Sequence, residues 1–186
     1  MAGTPSHILN RALAHIMRFS SHPQHFPESV AEHSFYTAYF TLILCRMLER
    51  EGEKIDTAKA ISMALVHDAE EMFSGDILGP FKHHSQEVTE AVRKVNLELI
   101  QDAFEGLSED VASHLISLWS EEGKGESMEA QVVKMADRLS LLSKCAEEVK
   151  AGNTFFENIY EAQFKQLSED SKPWWSKIKK EVLNQD

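Results

Sequence analysis

Apolar residues recur at intervals of three and four positions along nearly the whole chain, which is the spacing that places side chains on one face of an α-helix. In the segment that begins at residue 30, for example, one predicted helix face carries Val30, His33, Thr37, Phe40 and Leu44. No segment shows a convincing strand pattern of alternating apolar and polar residues. The pattern therefore predicts an all-α fold.

Capping residues and helix breakers divide this pattern into about eight helices. We predict a first helix over residues 5–18 and a second over residues 30–51, which begins at the capping-box sequence SVAE. The next four are predicted over residues 57–74, 86–104, 109–119 and 128–149, and the last two begin after Thr154 and Ser171. The segment GDILGPFKHH is predicted to be a loop. A length of 186 residues suits one domain, so residues 1–186 are predicted to form a single unit.

Composition and charge exclude several classes of function. The chain has 42% apolar residues with only 8 Gly and 5 Pro, which suits a compact helical domain. Its net charge of −11 argues against a nucleic-acid polymer as partner. No run of about 18 apolar residues is present, so no membrane span and no membrane partner are expected. Cys45 and Cys145 lack disulfide-framework spacing, and no signal peptide is recognisable, so we predict a cytoplasmic protein.

Four ionisable residues interrupt the apolar faces of three predicted helices. His33 lies on the inward face of the second helix, and Asp137 interrupts an apolar face of the sixth. His67 and Asp68 follow the apolar run MALV of the third helix. One such residue alone would be read as a buried group that hydrogen-bonds to a neighbour. Two buried carboxylates on faces that supply no positive charge instead indicate a bound cation.

The chemistry of these four side chains favours one divalent transition metal. Two imidazole nitrogens and two carboxylate oxygens suit Co, Mn, Zn, Ni or Fe better than Ca or Mg, which prefer oxygen ligands only. Four protein ligands on an octahedral ion leave two positions open. Water and a phosphate oxygen can fill these positions, so the pattern predicts a hydrolytic metal site.

Three sequence blocks carry a family resemblance: SVAEHS around His33, LVHDAEEMFSGD around His67 and Asp68, and VKMADRLSLLSKCAEEVKAGN around Asp137. Together they resemble the H…HD…D signature of HD-domain phosphohydrolases, and most of all the YfbR-like 5'-deoxynucleotidases. The resemblance implies an HD-domain helical bundle of about eight helices around a mononuclear metal site. The site-bearing core would span about residues 18–153, and the helices of 154–186 would pack on that core or on a partner subunit.

The resemblance also implies roles for residues around the metal ligands. Arg18 matches an arginine that contacts the substrate phosphate, and Lys82 is a candidate second phosphate contact. Glu71 matches the general acid or base, and Asp76 matches an aspartate that orients water or a sugar hydroxyl. Phe19 stands where the family often has a tryptophan that excludes a ribose 2'-hydroxyl.

The resemblance implies hydrolysis of a deoxynucleoside monophosphate to a deoxynucleoside and phosphate. The alternative is a triphosphohydrolase that releases triphosphate from a deoxynucleoside triphosphate. A third reading is a nucleotide-binding protein without catalysis, and a fourth is an interaction module that uses an exposed Trp174-Trp175 pair. The expected partners are a deoxynucleotide substrate and further copies of the chain in a homo-oligomer, a dimer or larger.

Overall fold

The computed structural model describes residues 10–82 and 84–184, and within these ranges the chain is helical apart from turns and one isolated bridge. The α-helices, in chain order, are α1 Val30–Arg50, α2 Thr57–Val66, α3 Glu71–Ser74, α4 Gly79–Lys82, α5 Gln86–Ala103, α6 Glu109–Lys124, α7 Met128–Lys150, α8 Glu157–Glu169 and α9 Pro173–Val182. Two 3-10 turns lie at Ala12–Ala14 and Thr154–Phe156. The prediction of an all-α fold is confirmed. None of the helices in the described ranges has the length and apolarity needed to cross a membrane.

Polar side chains start several of these helices by satisfying backbone N–H groups that the first turn leaves unpaired. The Ser29 hydroxyl accepts from the backbone N–H of Glu32, and the Glu32 carboxylate accepts from Ser29, which completes the predicted capping box. The side chains of Asp56, Ser85 and Ser127 accept similar bonds at α2, α5 and α7. The starts of these helices are therefore as predicted.

The main core lies between α1, α2 and α7, with α6, α8 and α9 packed around them. Leu44, Met63 and Val133 are fully buried at its centre. Trp174 and Trp175 are buried as well, and the Trp175 indole donates a 2.9 Å hydrogen bond to the carbonyl of Leu167. The tryptophan pair therefore attaches the last helix to the core and is not an exposed interaction surface.

The helix predicted over residues 5–18 is wrong in the part that the structure describes, and residues 5–9 lie outside it. In residues 10–18 only Ala12–Ala14 is helical. The backbone N–H of Arg18 donates to the carbonyl of Glu28, and that of Val30 donates to Ile16. These bonds pair the segment with the chain that enters α1, which prevents a continuous helix.

The helix predicted over residues 57–74 is broken where the histidine–aspartate doublet lies. α2 ends at Val66, and the turn that follows is held by bonds across three residues, such as the N–H of Ala69 to the carbonyl of Val66. α4 forms inside the predicted loop GDILGPFKHH. α6 extends beyond its predicted end at Trp119 to Lys124. Gly125 caps it with a φ of +67°, a left-handed conformation that suits glycine.

A buried ion pair fixes the loop between residues 19 and 28 to α7. Lys144 Nζ lies 2.6 Å from a carboxylate oxygen of Glu148, and the Glu148 side chain is fully buried. The same carboxylate accepts from the backbone N–H groups of His25 and Phe26 and from the Asn153 amide, each at 2.8–2.9 Å. Burial opposes ionisation, but Lys144 and these donors lower the pKa of Glu148 to about 2.

We expect Glu148→Ala to lower the free energy of unfolding by about 3–5 kcal/mol, because the substitution leaves the Lys144 ammonium buried without its partner. Urea unfolding at neutral pH measures this change. The exposed neighbour Glu147 provides the control, and Glu147→Ala should change the free energy by no more than about 0.5 kcal/mol. Equal effects of the two substitutions would show that the buried pair does not hold the loop.

Candidate metal centre and active site

The packing of α1, α2 and α7 brings the predicted metal ligands together. His33 lies in the first turns of α1, His67 and Asp68 lie in the turn directly after α2, and Asp137 lies near the middle of α7. The break after Val66 matters here, because neighbouring residues of a regular helix point about 100° apart. The turn therefore allows His67 and Asp68 to approach one centre.

The distances define a compact cluster. Asp68 Oδ2 lies 3.1 Å from His67 Nε2 and 3.6 Å from His33 Nε2. The ligand atoms of His33, His67 and Asp68 all lie within 4.8 Å of one another. Asp137 joins the cluster through His33, since its Oδ1 lies 3.0 Å from His33 Nε2. All four predicted ligands are thus neighbours in space.

The Nε2 atom of His67 is placed where it could bind a metal ion. His67 Nδ1 donates to the carbonyl of Ala64 at 2.9 Å, so Nε2 is the nitrogen that would bind a metal ion, which would displace any proton there. That Nε2 atom is buried and forms no hydrogen bond of normal geometry among the described residues, although Asp68 Oδ2 lies 3.1 Å away. A buried polar nitrogen without a partner is costly unless something else binds it. The arrangement fits a metal ligand whose outer nitrogen is oriented by a backbone carbonyl.

The electrostatics of the cluster also favour a cation. Burial opposes protonation of His67, but the adjacent Asp68 carboxylate outweighs burial and raises the pKa of His67 to about 10. Burial opposes ionisation of Asp68, yet His67 lowers the pKa of Asp68 well below its usual range. Partial desolvation also opposes ionisation of Asp137, but the hydrogen bond and charge of His33 lower its pKa. The carboxylates therefore remain charged and attract positive charge, which a divalent ion would supply.

Glu71 begins the short helix α3, beside the metal cluster. Its carboxyl pKa is raised to about 9, first by burial and then by the neighbouring charges of Asp68 and Asp76. A carboxyl group with such a raised pKa keeps its proton at neutral pH and is suited to donate it as a general acid. Asp76 follows Gly75, and its carboxylate accepts from the backbone N–H of Phe19 at 3.2 Å.

Arg18 lies behind the cluster. Its Nη1 atom contacts Glu28 Oε2 at 2.6 Å and His33 Nδ1 at 2.8 Å, and only 13% of its side chain is exposed. The Gln24 amide donates to the carbonyls of Arg18 and Phe19 and thereby fixes this turn. The guanidinium is therefore held by protein groups, and it reaches the metal cluster through His33.

Phe19 adopts φ = +54°, a left-handed conformation that is unfavourable for a residue with a side chain. Its ring packs edge-on against Phe156 at 5.3 Å between centroids and against His22 at 6.0 Å, and the Arg18 guanidinium lies 5.6 Å from the ring centre. Strained backbone of this kind is held only when its surroundings fix it, and it is common at functional sites. The bond from Phe19 N–H to Asp76 provides one such constraint.

A cavity of about 420 Å³ opens directly onto the cluster. His67, Asp68 and Asp137 form one wall, and Lys82 and other cationic side chains lie on the rest of its surface. These further cations are Arg93 and Lys134. The volume falls in the range of ordinary small-molecule sites. Lys82 therefore lines the same cavity as three of the four predicted ligands.

Sequence reasoning missed a buried group in the same cavity. Glu70 is buried and accepts a 2.6 Å bond from the Trp119 indole and a 3.4 Å bond from the Asn96 amide. Burial, followed by the charge of Asp68, raises its pKa. Asn96 lies four positions from Val92 and from Ile100 on an apolar face, so a polar interruption was visible in the sequence.

Comparisons with known proteins connect this site to a family. A sequence profile described as 5'-deoxynucleotidase YfbR-like matches residues 7–184. A 5'-deoxynucleotidase from Vibrio parahaemolyticus is 30% identical over 135 residues, which cover 70% of this chain and 67% of that protein. Matches to other curated 5'-deoxynucleotidases cover 65% and 66% of their length. The chain thus spans about two thirds of the length of these curated relatives.

Solved structures share the fold. An HD-domain phosphohydrolase from Listeria innocua superposes with a TM-score of 0.80 at 23% identity, over 97% of this chain and 89% of that one. The cyanophage S-2L HD phosphohydrolase DatZ, described as bound to dA and one catalytic Zn²⁺ ion, superposes with a TM-score of 0.66 at 15% identity. That match covers 100% of this chain and 99% of the phage protein. At these identities the likeness shows the shared fold.

Proposed function

Since the chain belongs to the YfbR-like 5'-deoxynucleotidase family, we propose that it removes the 5'-phosphate from 2'-deoxynucleoside monophosphates by metal-dependent hydrolysis. The match confirms the resemblance inferred from the sequence and the assignment to a hydrolase family, and the related structures confirm the predicted HD-domain bundle. The observation that carries the proposal is the histidine–aspartate cluster on the wall of a nucleotide-sized cavity.

The donor set and the buried Nε2 atom of His67 fit one divalent transition metal, with His33, His67, Asp68 and Asp137 as the residues that would hold it. Such an ion supplies Lewis-acid polarisation of the phosphate and lowers the pKa of water. DatZ, which shares the fold, is described with one catalytic Zn²⁺, so Zn stands beside Co, Mn, Ni and Fe as a candidate.

Around that centre, different residues of the chain would have separate roles in hydrolysis. Glu71, whose carboxyl pKa is raised to about 9, would exchange a proton with the attacking water or the leaving 5'-oxygen. Asp76 holds the Phe19 backbone and would orient the water or a sugar hydroxyl at the entrance of the site. Arg18 and Lys82 would neutralise the phosphate, Arg18 from behind His33 and Lys82 from the cavity wall.

A second candidate function is hydrolysis of a deoxynucleoside triphosphate to the deoxynucleoside and triphosphate. The observation in its favour is that three cations, Lys82, Arg93 and Lys134, line the cavity, while Arg18 lies behind His33. A triphosphate has more negative charge to neutralise than a monophosphate. Lys134, however, is already paired with Glu122 at 3.2 Å, which reduces the charge available to a longer phosphate chain. The monophosphate therefore remains the proposed substrate.

The experiment that tests the proposal is an assay of purified protein with Mn²⁺, Co²⁺ or Zn²⁺ against matched deoxynucleoside mono- and triphosphates. Release of inorganic phosphate from a deoxynucleoside monophosphate is the expected result. Release of intact triphosphate from a deoxynucleoside triphosphate would support the second candidate. No product from either series with any of the metals, in protein that binds the metal, would favour a nucleotide-binding protein without catalysis.

We expect 2'-deoxynucleotides to be preferred over ribonucleotides by about 5- to 150-fold in kcat/KM, because an apolar ring at Phe19 would leave a 2'-hydroxyl unsatisfied at a cost of about 1–3 kcal/mol. Phe19→Ala should reduce the ratio of kcat/KM for dAMP over AMP. Parallel kinetics on the two nucleotides measure this ratio. If Phe19→Ala lowers both values equally, the ring serves only packing against Phe156.

The remaining proposals concern the protein as a whole. Residues 1–186 would act as a single HD domain, in the cytoplasm. A homo-oligomer is supported by an exposed aromatic face on α1, where Phe35, Tyr36 and Tyr39 are each about half exposed, at 47–61%. Contiguous apolar surface of this kind is typical of interfaces between subunits.

A further inference from the structure

Both ring nitrogens of His33 are in contact with polar groups. Nδ1 lies 2.8 Å from Arg18 Nη1 and 3.0 Å from the Ser140 hydroxyl. Nε2 lies 3.0 Å from Asp137 Oδ1, on the side of the proposed metal centre. His33 and Ser140 are each only 1% exposed, so water does not easily replace these partners.

In the structure, the contact with Arg18 determines which ring nitrogen of His33 carries the hydrogen. A guanidinium can only donate hydrogen bonds, so Nδ1 must accept from Arg18. The ring proton then lies on Nε2, where it is donated to Asp137. A nitrogen that carries a hydrogen has no lone pair for a metal ion, so this tautomer cannot bind metal through Nε2.

Metal binding through Nε2 requires the other tautomer, with the hydrogen on Nδ1. That hydrogen needs an acceptor, and among the contacts of the described residues the Ser140 hydroxyl is the group beside Nδ1 that can accept it. His67 differs, because its Nδ1 already donates to the carbonyl of Ala64. The two histidines of the cluster are therefore oriented by different outer groups, a carbonyl for His67 and a hydroxyl for His33.

We propose that Ser140 is a positioning residue that selects the metal-binding tautomer of His33, and that Arg18 competes with it for the same nitrogen. The proposal rests on the metal centre proposed above. In the selected tautomer, Nδ1–H donates to Ser140, and the N–H of Arg18 can no longer approach Nδ1. Arg18 stays paired with Glu28 and becomes free to turn one donor toward a substrate phosphate. One proton moves from Nε2 to Nδ1 and the charge of the ring does not change.

The test is a Co²⁺ titration of the purified full chain without nucleotide, followed by the visible absorption of the bound ion. Ser140→Ala should weaken Co²⁺ binding by about 10- to 100-fold, the usual loss when a partner of a ligand histidine is removed. Ser140→Thr keeps the hydroxyl and should restore most of the affinity. Ser143→Ala, at an exposed position of the same helix, is the matched control and should bind like the parent.

A second readout separates positioning from a general loss of structure. In Zn²⁺-loaded parent protein, nitrogen-15 NMR should place the proton of His33 on Nδ1, and the unfolding midpoints of the three variants should stay close to that of the parent. Parent-like Co²⁺ affinity in Ser140→Ala, or a proton on Nε2 of His33 in the loaded parent, would overturn the proposal. Because no nucleotide is present, these results are independent of whether the protein is a 5'-deoxynucleotidase.

Discussion

Asp137→Ala is expected to reduce the bound metal from about one ion per chain to about a tenth of that or less, because a site that has lost one of two carboxylates no longer neutralises the ion. The Asp137 side chain is 42% exposed, so its removal should leave the core of α7 intact. Elemental analysis of dialysed protein measures the metal, and Glu147→Ala provides a matched loss of a carboxylate from the same helix.

The effect of Asp137→Ala on metal binding can also be measured through the stability of the protein. Added metal should raise the unfolding midpoint of the parent and of Glu147→Ala, since a ligand that binds only the folded state stabilises it by mass action. Asp137→Ala should show little or no such rise. Parent-like metal content in Asp137→Ala, together with a parent-like rise, would place Asp137 outside the set of metal ligands.

The clustering of His33, His67, Asp68 and Asp137 could be predicted because these residues conflict with the local pattern. His33 and Asp137 stand at positions where three- and four-residue periodicity demands apolar side chains, and burial of such groups needs an explanation. The helix starts were predictable for a similar reason, since Ser29 and Asp56 satisfy backbone groups only a few residues away. Features that depend on residues within one or two helical turns can be predicted from the sequence alone.

What could not be predicted depends on residues that are far apart in the sequence. Residues 10–18 have an amphipathic pattern, but backbone pairing of Arg18 with Glu28 prevents a helix there. Glu70 is buried because it bonds to Trp119, which is 49 positions away. The position of Arg18 behind His33, and not at the surface of the site, likewise depends on contacts 10 and 15 positions away. Periodicity carries no information about such partners.

Glu71→Gln is expected to lower kcat by about 10²- to 10⁴-fold while the metal content stays at that of the parent, because the amide keeps the shape of the side chain but cannot exchange a proton. Glu71 lies in α3, after the turn that carries the proposed ligands His67 and Asp68, so its carboxyl can be replaced without removing a proposed ligand. Single-turnover kinetics on a deoxynucleoside monophosphate measure the chemical step directly.

The choice of glutamine makes the result interpretable. Burial and the charges of Asp68 and Asp76 raise the pKa of Glu71, so its carboxyl is already uncharged near neutral pH and a neutral amide of the same shape should cost little stability. Glu98→Gln, at an exposed position of α5, is the control for loss of a carboxylate. A fall in kcat confined to Glu71→Gln, with equal metal content and unfolding midpoint in both variants, assigns proton transfer to Glu71. Parent-like kcat in Glu71→Gln would assign the proton transfer to another group, and Asp76 would be the next to test.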